Sequence, residues 1–120
     1  MHDKKILVVD DSESMRKLLV EIFKDAGFTN IIEASNGNAA VELYNAEHPD
    51  IVLLDIIMPD KNGVEVLREI GKGARVIVVS AVGQDAMVAE ARKLGACDYV
   101  VKPVDPNDIV AKTMRCFDIK

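Results

Sequence analysis

Three short runs in this sequence are apolar at every position and rich in β-branched residues: Ile6-Leu7-Val8-Val9, Ile51-Val52-Leu53-Leu54 and Val76-Ile77-Val78-Val79. A strand with one wet face alternates apolar and polar side chains. A run without alternation suits a strand covered on both faces, as in a parallel sheet lying between two layers of helices. Two weaker runs, Ile31-Ile32-Glu33-Ala34 and Tyr99-Val100-Val101, suit the edges of such a sheet.

The segments between the runs carry helical spacing. Met15, Leu18, Leu19, Ile22 and Ala26 form one stripe, closed by Gly27; Val41 with Tyr44 and Val64 with Leu67 mark two more helices. Met87, Val88, Ala91 and Leu94 form a fourth stripe before Gly95. A fifth helix opens with Asp105 as N-cap and Pro106 in its first turn, and turns Ile109, Val110, Thr113 and Phe117 inward. Strict alternation of this kind predicts an α/β fold, (βα)₅: a doubly wound, five-stranded parallel sheet with right-handed crossovers. Its expected strand order is 2-1-3-4-5, which makes strands one and three neighbours. The 120 residues suit one domain spanning 1–120, without an output domain.

Ligands of such sheets bind beyond the carboxyl ends of the strands, where the strand order reverses. Asp10 and Asp11 end the first run, Asp55 the third, Ser80 the fourth and Lys102 the fifth. One aspartate after a strand is ordinary turn chemistry; five polar residues converging on one mouth are not. Two carboxylates about 4 Å apart repel by roughly 4 kcal/mol at an effective dielectric near 20, so three together call for a cation. Oxygen donors without Cys or His suit Mg²⁺. A carboxylate beside that ion is a nucleophile for a phosphoryl group, and a lysine and a hydroxyl supply the charge and donors its oxygens require. Asp55, at the end of the central strand, is the expected nucleophile.

Val9-Asp10-Asp11, Leu54-Asp55-Ile56-Ile57-Met58-Pro59 with Gly63, Ser80-Ala81 and Lys102-Pro103 form, in that order and spacing, a set that resembles the response-regulator receiver domain, and within it the single-domain chemotaxis regulators. The resemblance runs from about Lys5 to Phe117 and implies a flavodoxin-like fold. It implies that Asp55 is the phosphorylation site and that Asp55 and Asp11, with the backbone carbonyl of Ile57, hold Mg²⁺, with Asp10 supporting the ion through water. It further implies that Lys102 and Ser80 meet the phosphoryl oxygens, that Tyr99 is the aromatic switch residue, and that the Lys102–Pro103 bond is cis. Ile57 and Val82 are apolar where chemotaxis regulators carry polar side chains, and are expected to tune hydrolysis of the acyl phosphate.

The implied function is a binding switch, not an enzyme beyond its own phosphorylation and slow autodephosphorylation. A histidine kinase (CheA-like) donates the phosphoryl group. The face made by helix 4, strand 5 and helix 5 then recruits a downstream protein, such as a chemotaxis motor switch or its adaptor, with a phosphatase as a possible further partner. The alternatives are a phosphorelay intermediate serving a histidine phosphotransferase, a Mg²⁺-dependent phosphohydrolase, and a scaffold. Against the phosphohydrolase, position 57 is Ile, with no second acid-base carboxylate there and no insertion long enough for a cap. Without the resemblance, Tyr99 reads as an edge-strand aromatic and Lys102 as a solvated strand-end lysine.

The formal charge of −5 argues against nucleic acid as a partner. Only four apolar residues separate Lys5 from Asp10, too few for a signal-peptide core, and no stretch approaches membrane-spanning length. The expectation is a cytoplasmic monomer without membrane insertion. Cys97 and Cys116, with no histidine near either, are expected to be two reduced packing thiols.

Overall fold

The computed structural model describes residues 3–59, 61–81 and 83–118. The elements alternate throughout: β1 (Lys5–Val9), α1 (Glu13–Asp25), β2 (Asn30–Ala34), α2 (Gly37–Glu47), β3 (Ile51–Leu54), α3 (Gly63–Ile70), β4 (Val76–Ser80), α4 (Asp85–Lys93), β5 (Ala96–Val101) and α5 (Pro106–Asp118). All pairings are parallel, in the order β2-β1-β3-β4-β5.

The apolar runs behave as expected for strands buried on both faces. Leu7, Val9, Val52, Leu54, Val76 and Val78 point to one side and pack under α2, α3 and α4, with Val66, Leu67, Ile70 and Ala91. Ile6, Val8, Ile51, Leu53, Ile77 and Val79 point to the other and meet Leu19, Ile22 and Phe23 of α1 and Ile109 and Cys116 of α5. Period-two alternation thus divides each run between two cores.

Helix termini follow their capping chemistry. The Ser12 side chain accepts from the Met15 amide at the start of α1, and Asn62 forms a reciprocal capping box with Glu65 at the start of α3. Gly27 and Gly95 adopt positive φ (98° and 113°) just past α1 and α4, where a side chain would be strained.

Four details depart from the sequence reading. Leu18 is 47% exposed, and Phe23, which the stripe omitted, is buried; the buried residues of α1 are Leu19, Ile22 and Phe23. In α3 the inward residues are Val66, Leu67 and Ile70, with Val64 at the margin. β5 begins at Ala96, ahead of the expected Tyr99, because a bulge lets Ala96 and Asp98 pair with the consecutive Val76 and Ile77.

The fourth departure overturns the expectation of two reduced thiols: Cys97 and Cys116 form a disulfide, their Cα atoms 6.1 Å apart. Spacing along the chain carries no information on this pairing, which depends on α5 lying back against β5. Among the described residues, no helix is long and apolar enough to cross a membrane.

Candidate phosphoryl-acceptor site

The strand ladder continues one residue past β1, β3 and β5, and this fixes the mouth of the site. The Asp10 amide donates to the Ala34 carbonyl (3.2 Å), the Asp55 amide to Val9 (3.0 Å) and the Lys102 amide to Ser80 (2.9 Å). Asp10, Asp55 and Lys102 therefore all leave from ordered backbone at the carboxyl edge of the sheet.

Asp10 and Asp55 are 1% and 5% exposed, whereas Asp11 is open to solvent. Carboxylate oxygens of all three lie within 4.8 Å of one another, an arrangement of hard oxygens that fits a divalent cation of the magnesium type. One oxygen of each buried carboxylate is already held by backbone: Asp10 Oδ1 accepts from the Ser12 amide (2.9 Å) and Asp55 Oδ1 from the Ile57 amide (3.1 Å). The other oxygens share one cation, with Lys102 Nζ 2.8 Å from Asp10 Oδ2 and 3.2 Å from Asp55 Oδ2.

The electrostatics follow from burial. Burial pushes the Asp55 carboxyl above the ordinary carboxylate range; Lys102 draws it back and the Asp10 charge raises it again. For Lys102, burial presses the ammonium down, but its hydrogen bond to Asp10 and the charges of Asp55 and Asp10 outweigh that and hold it above the usual lysine value. Lys102 stays charged, and Asp55 is a more basic, less well solvated oxygen nucleophile than a surface aspartate.

Ser80 and Tyr99 lie behind this cluster, both buried. Burial raises the Tyr99 hydroxyl above its ordinary value, a hydrogen bond with Ser80 lowers it, and the Asp55 charge raises it again. The ring is thus turned inward, and the edge-strand reading of an aromatic merely packed on α5 does not describe it: it packs with the cluster under α3 and α4. The Lys102–Pro103 bond is cis. Ile57 contributes its amide to the cluster, but its side chain is 56% exposed at the rim; Val82 lies outside the described residues.

One support, Arg16, was not named from the sequence, and a second, Gly63, was named there without its contact. Arg16, one turn into α1 and mostly buried, donates to the Asp10 carbonyl (2.7 Å) and pairs with Glu33 of β2 (3.2 Å). A cation near a helix N-terminus opposes the helix dipole, and that mismatch was the available hint of a tertiary partner. Gly63 brings α3 against the loop that follows β3: its amide donates to Ile56 (2.8 Å), and a Cβ there would clash with the Asp55 carbonyl oxygen. A groove of about 390 Å³ between α1 and α5, lined by residues including Ile22, Ala26, Pro106 and Val110, contributes none of these groups.

The sequence model of the response regulator receiver domain matches residues 6–114. The chain belongs to that family. Among curated relatives of this receiver domain, the chemotaxis protein CheY of Thermotoga maritima is 48% identical, the match covering 89% of this chain and 92% of that protein. The sporulation initiation phosphotransferase F of Bacillus subtilis is 38% identical over 100% and 98% of the respective chains. A chain in the crystal structure of the CheX-CheY-BeF3-Mg+2 complex from Borrelia burgdorferi superposes with a TM-score of 0.91 at 38% identity, covering 98% of this receiver domain and 90% of that chain. Phosphorylation-dependent signalling is the function class these relatives share with this receiver domain.

Proposed function

We propose that this receiver domain is a CheY-like response regulator that accepts a phosphoryl group on Asp55 from a histidine kinase. It then recruits a downstream protein through the face formed by α4, β5 and α5. The observation that carries the reading is Lys102 Nζ shared between Asp10 and Asp55, beside a third carboxylate, at the β1–β3 switch point. Asp10, Asp11 and Asp55, with the Ile57 carbonyl, would hold Mg²⁺. When bound, the ion offsets the charge of three carboxylates and of the incoming phosphoryl oxygens. Asp55 forms the new oxygen–phosphorus bond as the nitrogen–phosphorus bond of the donor phosphohistidine breaks, leaving the electron pair on the kinase imidazole. Lys102 stands where a phosphoryl oxygen on Asp55 needs a cation, and the Ser80 hydroxyl is the nearby donor that couples that oxygen to Tyr99. Beyond this self-modification and its slow reversal by water, the chain is a switch and not an enzyme.

The strength of the match to CheY proteins favours a motor switch or its adaptor as the partner. The full-length match to a sporulation phosphotransferase supports a second reading, transfer onward to a histidine phosphotransferase. The test is transfer of radiolabel from a phosphorylated chemotaxis-type kinase with and without Mg²⁺, followed by addition of a histidine phosphotransferase or of motor switch protein. Mg²⁺-dependent label on Asp55 that then promotes motor-switch binding supports the first reading. Label that moves to the phosphotransferase supports the second, and no label on Asp55 overturns both.

A further inference from the structure

The disulfide joins two places that the fold has prepared for it. Cys116 lies on the buried stripe of α5 with Ile109 and Thr113 and is 1% exposed. Cys97 is the extra residue of the β5 bulge. Without the bulge, period-two alternation would put Cys97 on the face of Tyr99, under α3 and α4; it packs instead with Val100, Ile109 and Cys116 on the α5 side. A bulge re-aims a side chain at the cost of a ladder position, and here it aims the thiol at the last turn of α5. Two further contacts converge there: Arg75 Nε donates to the Cys116 carbonyl (3.1 Å), and Arg115 reaches toward Asp98, next to Cys97 (3.9 Å).

We infer that Cys97 and Cys116 form a reversible thiol–disulfide site, closed by a small-molecule disulfide, that staples the end of α5 to β5. The half-buried Cys97, as thiolate, attacks one sulfur of the oxidant; that sulfur–sulfur bond breaks and one thiolate leaves. Cys116 then attacks the Cys97 sulfur of the mixed disulfide and expels the second thiolate. The two protons released by the protein are taken up by the two departing thiolates, and the two electrons reduce the oxidant. A reducing cytosol opens the pair and an oxidising challenge closes it. Its position gives it a consequence for signalling, which rests on the function proposed above: α5 and β5 are two of the three elements of the partner face, and the staple sits on them at the end remote from Lys102.

The experiment equilibrates the purified protein with oxidised glutathione, blocks free thiols and reads the products by peptide mass spectrometry. The expected product lacks two hydrogens, joins the Cys97 and Cys116 peptides, and reverts with dithiothreitol. Closing a loop of this length should raise Tm by about 10 °C and slow hydrogen exchange in the last turn of α5 while leaving β1 and β3 unchanged. Cys116→Ser should halt at a glutathione adduct on Cys97, and Cys97→Ser should leave Cys116 unmodified in the native protein. Wild type with both cysteines still alkylatable, with glutathione retained on each, or with equal Tm in the two states overturns the proposal. Label on Asp55, followed in both states, reports on the receiver function separately, so loss of one reading does not remove the other.

Discussion

The ammonium of Lys102 lies 3.2 Å from the carboxylate of Asp55, although the two are 47 positions apart and leave from different, non-adjacent strands. The same nitrogen is closer still to Asp10, so one cation offsets two buried anions. Removing any member of that trio should therefore change both the stability and the chemistry of the site.

Asp55→Asn should abolish phosphorylation and leave the fold intact. Because burial raises the carboxyl of Asp55, its ionised form costs stability, and that cost grows as pH rises from the ordinary carboxylate value toward the raised one. In metal-free buffer at neutral pH the variant should therefore be more stable, by on the order of 1 kcal/mol, less than a bare like-charge contact because Lys102 offsets part of it. The gain should vanish as pH falls below the ordinary carboxylate range, and saturating Mg²⁺ should reverse it by stabilising wild type. Urea titrations at several pH values, with EDTA or Mg²⁺, test all of this; a variant less stable at neutral pH without metal contradicts it.

Lys102→Met should separate binding of the cation from the chemistry. Freeing Oδ2 of Asp10 and Asp55 makes the cluster more negative, so Mg²⁺ should bind several-fold tighter. Phosphorylation should slow by about a hundredfold, the usual effect of losing one preorganised group on a developing oxyanion. Calorimetric Mg²⁺ titration and the rate of label uptake from acetyl phosphate provide the two readouts. Both changing in the same direction would contradict the assigned role.

Arg16→Ala should loosen the turn carrying Asp10 and Asp11. A charge-assisted hydrogen bond to a carbonyl contributes about 1.5–3 kcal/mol, and its loss should appear as lower stability together with several-fold weaker Mg²⁺ binding. Arg16→Lys should recover little, since one ammonium does not reproduce a guanidinium that spans the Asp10 carbonyl and Glu33. Glu33→Gln should cost less than 1 kcal/mol, because its side chain is well exposed.

Gly63→Ala tests the approach of α3 to the loop that follows β3. The added methyl would meet the Asp55 carbonyl oxygen and the Ile56 Cα, both backbone atoms with little freedom to move. A loss of about 2–4 kcal/mol is expected, at the upper end for a single substitution because the clash is with backbone. Thermal or urea unfolding measures it, and stability equal to wild type would mean that α3 is free to shift outward.

Ile57→Asn should speed decay of phospho-Asp55, but by less than tenfold, or about 1.4 kcal/mol in the barrier. The exposed Ile57 side chain shields less than an apolar residue over the acceptor would. Loss of label after removal of the donor gives the rate; decay no faster than wild type would show that position 57 does not screen the phosphate.

The layered fold and the acidic end of the site follow from the order of residues alone, because both are written in local pattern. Runs such as Val76-Ile77-Val78-Val79 can be satisfied only by burial on both faces, and Asp10, Asp55, Ser80 and Lys102 follow such runs directly. Once the strands are parallel, their carboxyl ends meet whatever the details. Which long-range partner each side chain finds is set only when the elements pack together. Nothing near Arg16 in the chain names the Asp10 carbonyl or Glu33, and nothing near Gly63 names the backbone of Asp55. Helical period placed Leu18 and Leu19 on one stripe, but the packing of α1 against the sheet and α5 leaves Leu18 exposed and buries Phe23. The cysteines make the same point most sharply. Their pairing depends on one extra residue in β5, and a bulge arises from strand register, a relation between strands that no single stretch of sequence contains.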